Sequence, residues 1–168
     1  HEFESTWIEI KNKNSSNILI ACLYRHPHNN FKEFFNYLEK TLKIVTKENK
    51  EIYIAGDFNF DLLKNNTDNY TQYFFNTLCS FSFLPHIIQP TRVTSNTATV
   101  IDNIFSNNLN GNITAGNILL NFSDHFAQFI TIERLRIDFK DIHLYQRDYS
   151  KFSNKNFRED ISNQNWKT

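Results

Sequence analysis

The sequence predicts an α/β fold. Two apolar runs, 18–24 and 51–56, read as strands and enclose an amphipathic segment at 31–47, giving the order strand, helix, strand. Side chains able to do chemistry gather where these and later strands stop, the usual address of functional groups in such folds. Aromatic rings carry the core volume: 17 Phe and 7 Tyr against only 3 Gly and 3 Pro exclude a collagenous, loop-rich or disordered chain. The 168 residues suffice for one domain, or a domain with a tail, while two full domains would be crowded.

In chain order, Trp7 to Ile10 alternate as a strand, 11–17 form a polar turn, and Ile18 to Tyr24 follow as the second arm of an antiparallel hairpin. Pro27 ends that arm, because it cannot donate to a ladder and restricts the residue before it, so Tyr24 and Arg25 emerge at a strand end. Locally, Tyr24 could equally cap the core and Arg25 be a rim charge. Phe31, Phe34, Phe35, Leu38, Leu42 and Val45 recur at three and four, so a helix over 31–47 packs one face on a sheet. Its lysines and glutamates form a solvated face.

The next strand, Ile52-Tyr53-Ile54-Ala55, reads as buried on both faces and stops at Gly56, delivering Asp57 and Asn59. In extended geometry these two share one side and offer a carboxylate beside a carboxamide, suited to a phosphate oxygen and a water. The competing reading is a β-turn with Asp and Asn as turn formers. A polar loop at 62–69 leads to a second helix near Tyr70 to Ser80, then a short strand at 83–88 interrupted by Pro85. Pro90-Thr91-Arg92 and a hydroxyl-rich run, Thr94, Ser95, Asn96, Thr97 and Thr99, precede a strand over 100–105. Asp102 inside that strand is costly unless it is paired or lies at a solvated strand end. Strands at 113–120 and 126–132 flank Phe122-Ser123-Asp124-His125, where a histidine beside a carboxylate could act as base, phosphate-binding cation or metal ligand. Beyond Glu133 the periodicity fades, and a short helix at 154–161 carries Phe157 and Ile161 on one side.

Formal net charge is zero, so composition alone gives no support to a nucleic-acid partner. Its distribution is uneven: residues 1–133 hold 10 Lys and Arg against 13 Asp and Glu, and 134–168 hold 8 against 5. No apolar run reaches transmembrane length. Cys22 and Cys79 lie in apolar surroundings without metal-ligand spacing, which predicts two buried thiols in a reducing compartment. With no Met and no targeting segment, the chain reads as a piece of a longer polypeptide.

Four motifs thus follow in order at strand termini: Tyr24-Arg25, Gly56-Asp57-Phe58-Asn59, Ile101-Asp102 and Ser123-Asp124-His125. Their order and spacing resemble the endonuclease/exonuclease/phosphatase superfamily, and with the Tyr-Arg-x-Pro turn at 24–27 and Pro-Thr-Arg into Ile-Asp-x-Ile at 90–104 they look most like the endonuclease domain of LINE-type (non-LTR) retrotransposon proteins. The Arg147-Asp148-Tyr149-x-x-Phe152 segment and Asn165-Trp166 are similar to the connector that leads from that endonuclease to the reverse transcriptase.

The resemblance implies a four-layer α/β sandwich of the DNase I-like type with its first part absent. Residues 1–135 would be the C-terminal part of the domain, and 136–168 a basic connector toward a reverse transcriptase domain in cis. It implies a Mg²⁺- or Mn²⁺-dependent endonuclease that nicks DNA, intracellular and nuclear when acting on DNA, with no membrane partner. His125 would activate water, held by Asp102; Asp57 would align the nucleophile; Asp124 would hold the metal; Asn59 and Tyr24 would meet the scissile phosphate, joined by Arg25, Thr97 and Thr99. An asparagine and a metal-binding glutamate of the intact family are not matched here, since Glu2, Glu4 and Glu9 lie outside that context. Little or no catalysis and an unpartnered sheet are therefore expected of the chain as given. A phosphatase of the same fold and a non-enzymatic nucleic-acid-binding remnant are the alternatives.

Overall fold

A computed structural model describes residues 3–12, 16–27, 30–109, 111–120, 123–133 and 152–165. The connector motif at 147–149, Phe122 and Trp166 lie outside the described residues.

The expected hairpin forms from β1 (Phe3–Ile10) and β2 (Ile18–Arg25), antiparallel in register from Phe3 opposite Arg25 to Ile10 opposite Ile18. The helix α1 (Phe31–Val45) then crosses over, and β3 (Glu51–Asp57) runs parallel to β2. The Asn30 side chain caps α1 by accepting from the Lys32 backbone N–H. Its last turn tightens to a 3₁₀ turn at Thr46–Glu48, and left-handed Asn49 (φ 51°) turns the chain toward β3. The second helix, α2 (Asn69–Ser80), is capped by Asp68, whose carboxylate accepts from the Thr71 N–H at 2.7 Å.

The expected strand at 83–88 shrinks to β4 (Leu84–Pro85), since Pro85 has no N–H with which to extend the ladder. The Asn103 carboxamide then stands in for a strand partner, exchanging two hydrogen bonds with the Ile87 backbone. The hydroxyl-rich run folds into a hairpin of β5 (Arg92–Val93) and β6 (Ala98–Thr99). Next, β7 (Asp102–Ser106) lies antiparallel to β3, and β8 (Ile113–Ile118) pairs with β9 (Ala127–Ile132). The main sheet has the order β1-β2-β3-β7-β4.

One face of that sheet packs on the helices. Phe34, Leu38 and Leu42 of α1 and Phe74 and Leu78 of α2 meet Ala21, Leu23, Ile52, Ile54 and Phe105, all buried. Rings bind the layers together, with Phe74 lying 5.1 Å from Phe58, 4.7 Å from Phe60 and 5.6 Å from Phe105 between centroids. Each fully buried Phe or Leu contributes roughly 1.5–3 kcal/mol. As expected, Ile52, Tyr53 and Ile54 are buried on both faces of β3.

On the face away from the helices, β2 is more open: Cys22 is exposed rather than buried, and Ile8 of β1 is 60% exposed. The apolar neighbours of Cys22 in sequence point to the helices while its own side chain alternates away from them. Cys79 is half-buried, and burial pushes its thiol pKa up. By its internal contacts the chain divides into His1–Leu135 and Arg136–Thr168. The described part of the second unit holds α3 (Asn154–Asn163), capped by Ser153, with Phe157 and Ile161 exposed. Among the described residues no helix is long and apolar enough to cross a membrane.

Candidate active site

Strand register builds the site. Tyr24 lies opposite Asp57, and Asp57 opposite Asp102, so β2, β3 and β7 set these three side chains in one row on the sheet face away from the helices. Glu4 of β1 lies opposite Tyr24 and begins the same row, a placement that no local motif around Glu4 announces.

Asp57, inside the row, lies where β3 must turn. Gly56 has φ +153°, and a Cβ there would sit 1.8 Å from the Leu23 carbonyl oxygen, so only glycine fits between β2 and the end of β3. Asn59 follows in the left-handed region at φ 52°. Its backbone N–H donates to Asp57 Oδ1 at 3.1 Å, and its side-chain Nδ2 donates to the Arg25 carbonyl at 2.7 Å. One amide N–H of Asn59 is thus spent on holding the loop, which leaves the other for a ligand.

Arg25 does not stand where a phosphate could meet it. It is 2% exposed, with Nε donating to the Phe58 carbonyl at 2.7 Å, Nη2 to the Asn59 carbonyl at 2.8 Å and Nη1 to the His26 carbonyl at 3.0 Å. The guanidinium also lies 4.0 Å from the Phe60 ring centroid. Two of its donors hold carbonyls of the Gly-Asp-Phe-Asn loop and a third holds that of His26, so the buried Arg25 acts on the site through the positions of Asp57 and Asn59.

Asp102 is 7% exposed, and both of its oxygens have partners. His125 Nδ1 lies 3.2 Å from Oδ1 and 3.1 Å from Oδ2, and the Thr91 hydroxyl donates to Oδ2 at 2.8 Å. Asp57 is less well served. Burial first and the Asp102 charge second raise its pKa, against the opposing pull of the Asn59 N–H, His125 and Arg25.

That shift has a sign. A carboxyl with a raised folded-state pKa stabilises the fold fully only below its ordinary value of 3.8, and the contribution is lost as pH rises through the raised value. In metal-free buffer Asp57→Asn is therefore expected to raise the melting temperature near neutral pH, with the gap closing on acidification. A lower melting temperature at neutral pH would contradict this.

Thr91 joins the pieces. Fully buried, it also accepts from the Ile101 and Asp102 N–H groups at 3.2 and 3.1 Å, while its carbonyl accepts from the Phe126 N–H at 2.7 Å. The Val93 N–H donates to the Asp124 carbonyl at 2.9 Å, and Arg92 bridges to His125, so the Ser-Asp-His segment aligns beside β5. Thr91→Val keeps the shape but removes the hydroxyl, which is expected to cost about 1–3 kcal/mol in urea unfolding. A change within error would show that water replaces the hydroxyl.

Asp124, expected on the metal, is outside this cluster. Arg92 Nε donates to its Oδ2 at 2.7 Å, and that bond chiefly lowers the Asp124 pKa. Thr97 is also turned elsewhere, its hydroxyl 2.8 Å from that of Thr94 at the hairpin tip, while Thr99 pairs with Arg92 and accepts from the Thr91 N–H through its carbonyl. Tyr24 is 36% exposed, and its hydroxyl lies 3.4 Å from His26 Nδ1.

Asp57, Asp102 and His125 offer ligand atoms within 4.8 Å of one another. Because Thr91 and His125 occupy the Asp102 oxygens, Asp57 is the group left to meet a cation directly, with water filling the remaining positions. That donor set fits a hard divalent ion that keeps several waters, and such an ion would relieve the like-charge pair.

No protein-family model matches the chain, and no curated protein matches it. Solved structures do. The endonuclease domain of TRAS1, a telomere-specific non-LTR retrotransposon, superposes with a TM-score of 0.62 at 15% identity over 79% of this chain and 64% of that one. An endonuclease/exonuclease/phosphatase family protein from Leptotrichia buccalis gives 0.52 at 19% identity, over 77% of this chain and 52% of its own. A mannosyl-6-phosphatase from Bacteroides thetaiotaomicron gives 0.52 at 16% identity, over 76% and 56%. The chain spans less than two thirds of each of these structures. At such identities the likeness concerns architecture: the chain has the α/β fold of the endonuclease/exonuclease/phosphatase proteins.

Proposed function

We propose that the chain carries the hydrolytic face of a divalent-metal-dependent phosphodiesterase, the nicking endonuclease part of a retrotransposon-derived protein acting on DNA. The observation that supports it most is His125 on the buried Asp102 carboxylate, in ligand-atom reach of Asp57. With Nδ1 donating to Asp102, Nε2 is left to accept a proton from water. Asp102 holds the ring in place and offsets the charge it gains. Asp57 would hold the cation and orient the water, and the free amide N–H of Asn59 and the Tyr24 hydroxyl are neutral donors for non-bridging phosphate oxygens. A bound Mg²⁺ or Mn²⁺ would neutralise charge developing on the phosphate. A reverse transcriptase domain in cis and action in the nucleus belong to the same proposal.

A plasmid assay tests it. Slow conversion of supercoiled plasmid to open circle in Mg²⁺ or Mn²⁺ is expected, abolished by EDTA and by His125→Ala. Nicking that is unchanged in His125→Ala would refute the assignment. Release of phosphate from mannose 6-phosphate without nicking would assign the row to a phosphatase instead.

A further inference from the structure

The N-terminal turns of α1 and α2 meet around a groove of about 530 Å³. Phe31 and Phe35, one turn apart on α1, face Tyr70 and Tyr73, one turn apart on α2. Phe31 and Tyr70 stack at 3.9 Å and 14°, and Phe35 and Tyr73 lie 4.6 Å apart between centroids. Both tyrosines stay about half exposed, at 50% and 47%, although Phe60 and Phe74 already close the core beneath them. Phe31 and Phe35 thus belong to the core layer, while the two tyrosine rings keep surface that the core does not cover.

The polar part of the groove is equally specific. Carboxamides of Asn30, Asn36 and Asn69 and the Lys32 ammonium line it, and no carboxylate is among the described lining residues. The nearby Glu39 is engaged by the Tyr73 hydroxyl at 2.6 Å and by Lys43. Flat rings, neutral amides and one cation match a base, its hydrogen-bonding edges and a phosphate.

Position adds continuity with the hydrolytic row. Arg25, which holds the Phe58 and Asn59 carbonyls, reaches to 5.2 Å from the Phe31 centroid, so planar groups run from the catalytic loop through Phe31 to the surface at Tyr70. The helices cover the sheet face opposite the row, so a strand passing from the row to the groove must round the end of the sheet. A stiff duplex resists such a bend, whereas an unpaired strand does not.

We propose that this groove binds an unpaired nucleobase of the strand leaving the hydrolytic row, so that the substrate class is DNA with a single-stranded segment beside the cut. The class of polymer rests on the hydrolase reading; the groove itself is tested without catalysis.

In EDTA, fluorescence anisotropy of the full chain compares a labelled oligothymidylate with a labelled duplex of equal length. Tyr70→Ala is expected to weaken single-strand binding about tenfold and to leave duplex binding unchanged, because base stacking is lost. Tyr70→Phe restores it, and an unchanged thermal unfolding curve shows that the helix persists. Lys32→Gln is expected to lower the salt slope of single-strand binding by about 0.7, one phosphate contact. Equal loss for both ligands, no loss for either, or displacement of the oligonucleotide by a proline-rich peptide would overturn the proposal. If Tyr70-dependent single-strand binding persists while Mn²⁺ fails to bind at Asp57, the groove stands and the hydrolase reading falls. His125-dependent cleavage with Tyr70→Ala binding unchanged is the reverse.

Discussion

A chain carrying Gly56→Ala is expected to lose its native fold. The added Cβ would stand 1.8 Å from the Leu23 carbonyl oxygen and 2.8 Å from its carbon, both backbone atoms of the neighbouring strand. No side-chain rotation relieves that contact, and φ +153° is itself unfavourable for an L residue. Relief would require β2 and β3 to separate, which would open the sheet at its centre and release the clamp of Arg25 on the Asn59 loop. The cost is expected to exceed about 4 kcal/mol, a large share of the roughly 5–15 kcal/mol that holds a domain folded. Soluble yield and urea unfolding check it. A folded variant with near-native stability would contradict the close approach of β2 to Gly56.

If the proposed phosphodiester hydrolysis proceeds at the slow rate expected of this chain, His125→Ala and Asp102→Asn are each expected to lower it by about 10²–10⁴-fold, the range for loss of a positioned general base. Asp102→Asn keeps shape and burial but presents an amide to Nδ1, favouring the tautomer that leaves Nε2 protonated and unable to accept from water. Because the two residues work through one proton path, the double variant is expected to fall little below either single one. Multiplicative losses in rates measured under single-turnover conditions would show that the residues act separately. His125→Ala takes from the buried Asp102 carboxylate its partner at Oδ1, and Asp102→Asn disturbs the bond from Thr91, so both variants are expected to lose some stability and their rates are compared well below their melting transitions.

How much of this was legible in the sequence depends on distance along the chain. Alternation and helical spacing locate β2, α1, β3 and α2 because those signals are local, and they place Tyr24, Asp57 and Asp102 at strand ends. The register that turns three strand ends into one row is a property of pairing, and it also brings in Glu4, which no motif distinguishes. Arg25 was legible as a strand-end cation but not as a buried one, because the carbonyls of Phe58 and Asn59 that satisfy it are backbone groups far along the chain. Asp124 illustrates the same limit. Its sequence neighbour His125 reaches the buried Asp102, while Asp124 itself turns to Arg92 on the hairpin. Thr91 lay inside a recognised tripeptide, but its hub role appears only when Asp102 and Phe126 are folded around it. Cys22 was misjudged because composition reports apolar neighbours and not the face on which a strand residue falls.

The most direct test of one metal-assisted site at Asp57, Asp102 and His125 is a Mn²⁺ titration followed by NMR on the full chain, since paramagnetic broadening reports the ion's position without requiring turnover. The His125 ring and the Asp57 and Asn59 amides are expected to broaden first, with Mg²⁺ reversing the effect and Asp57→Asn abolishing it. Broadening centred elsewhere, at Asp124 and Arg92 for example, or broadening that persists in Asp57→Asn, would contradict the assignment.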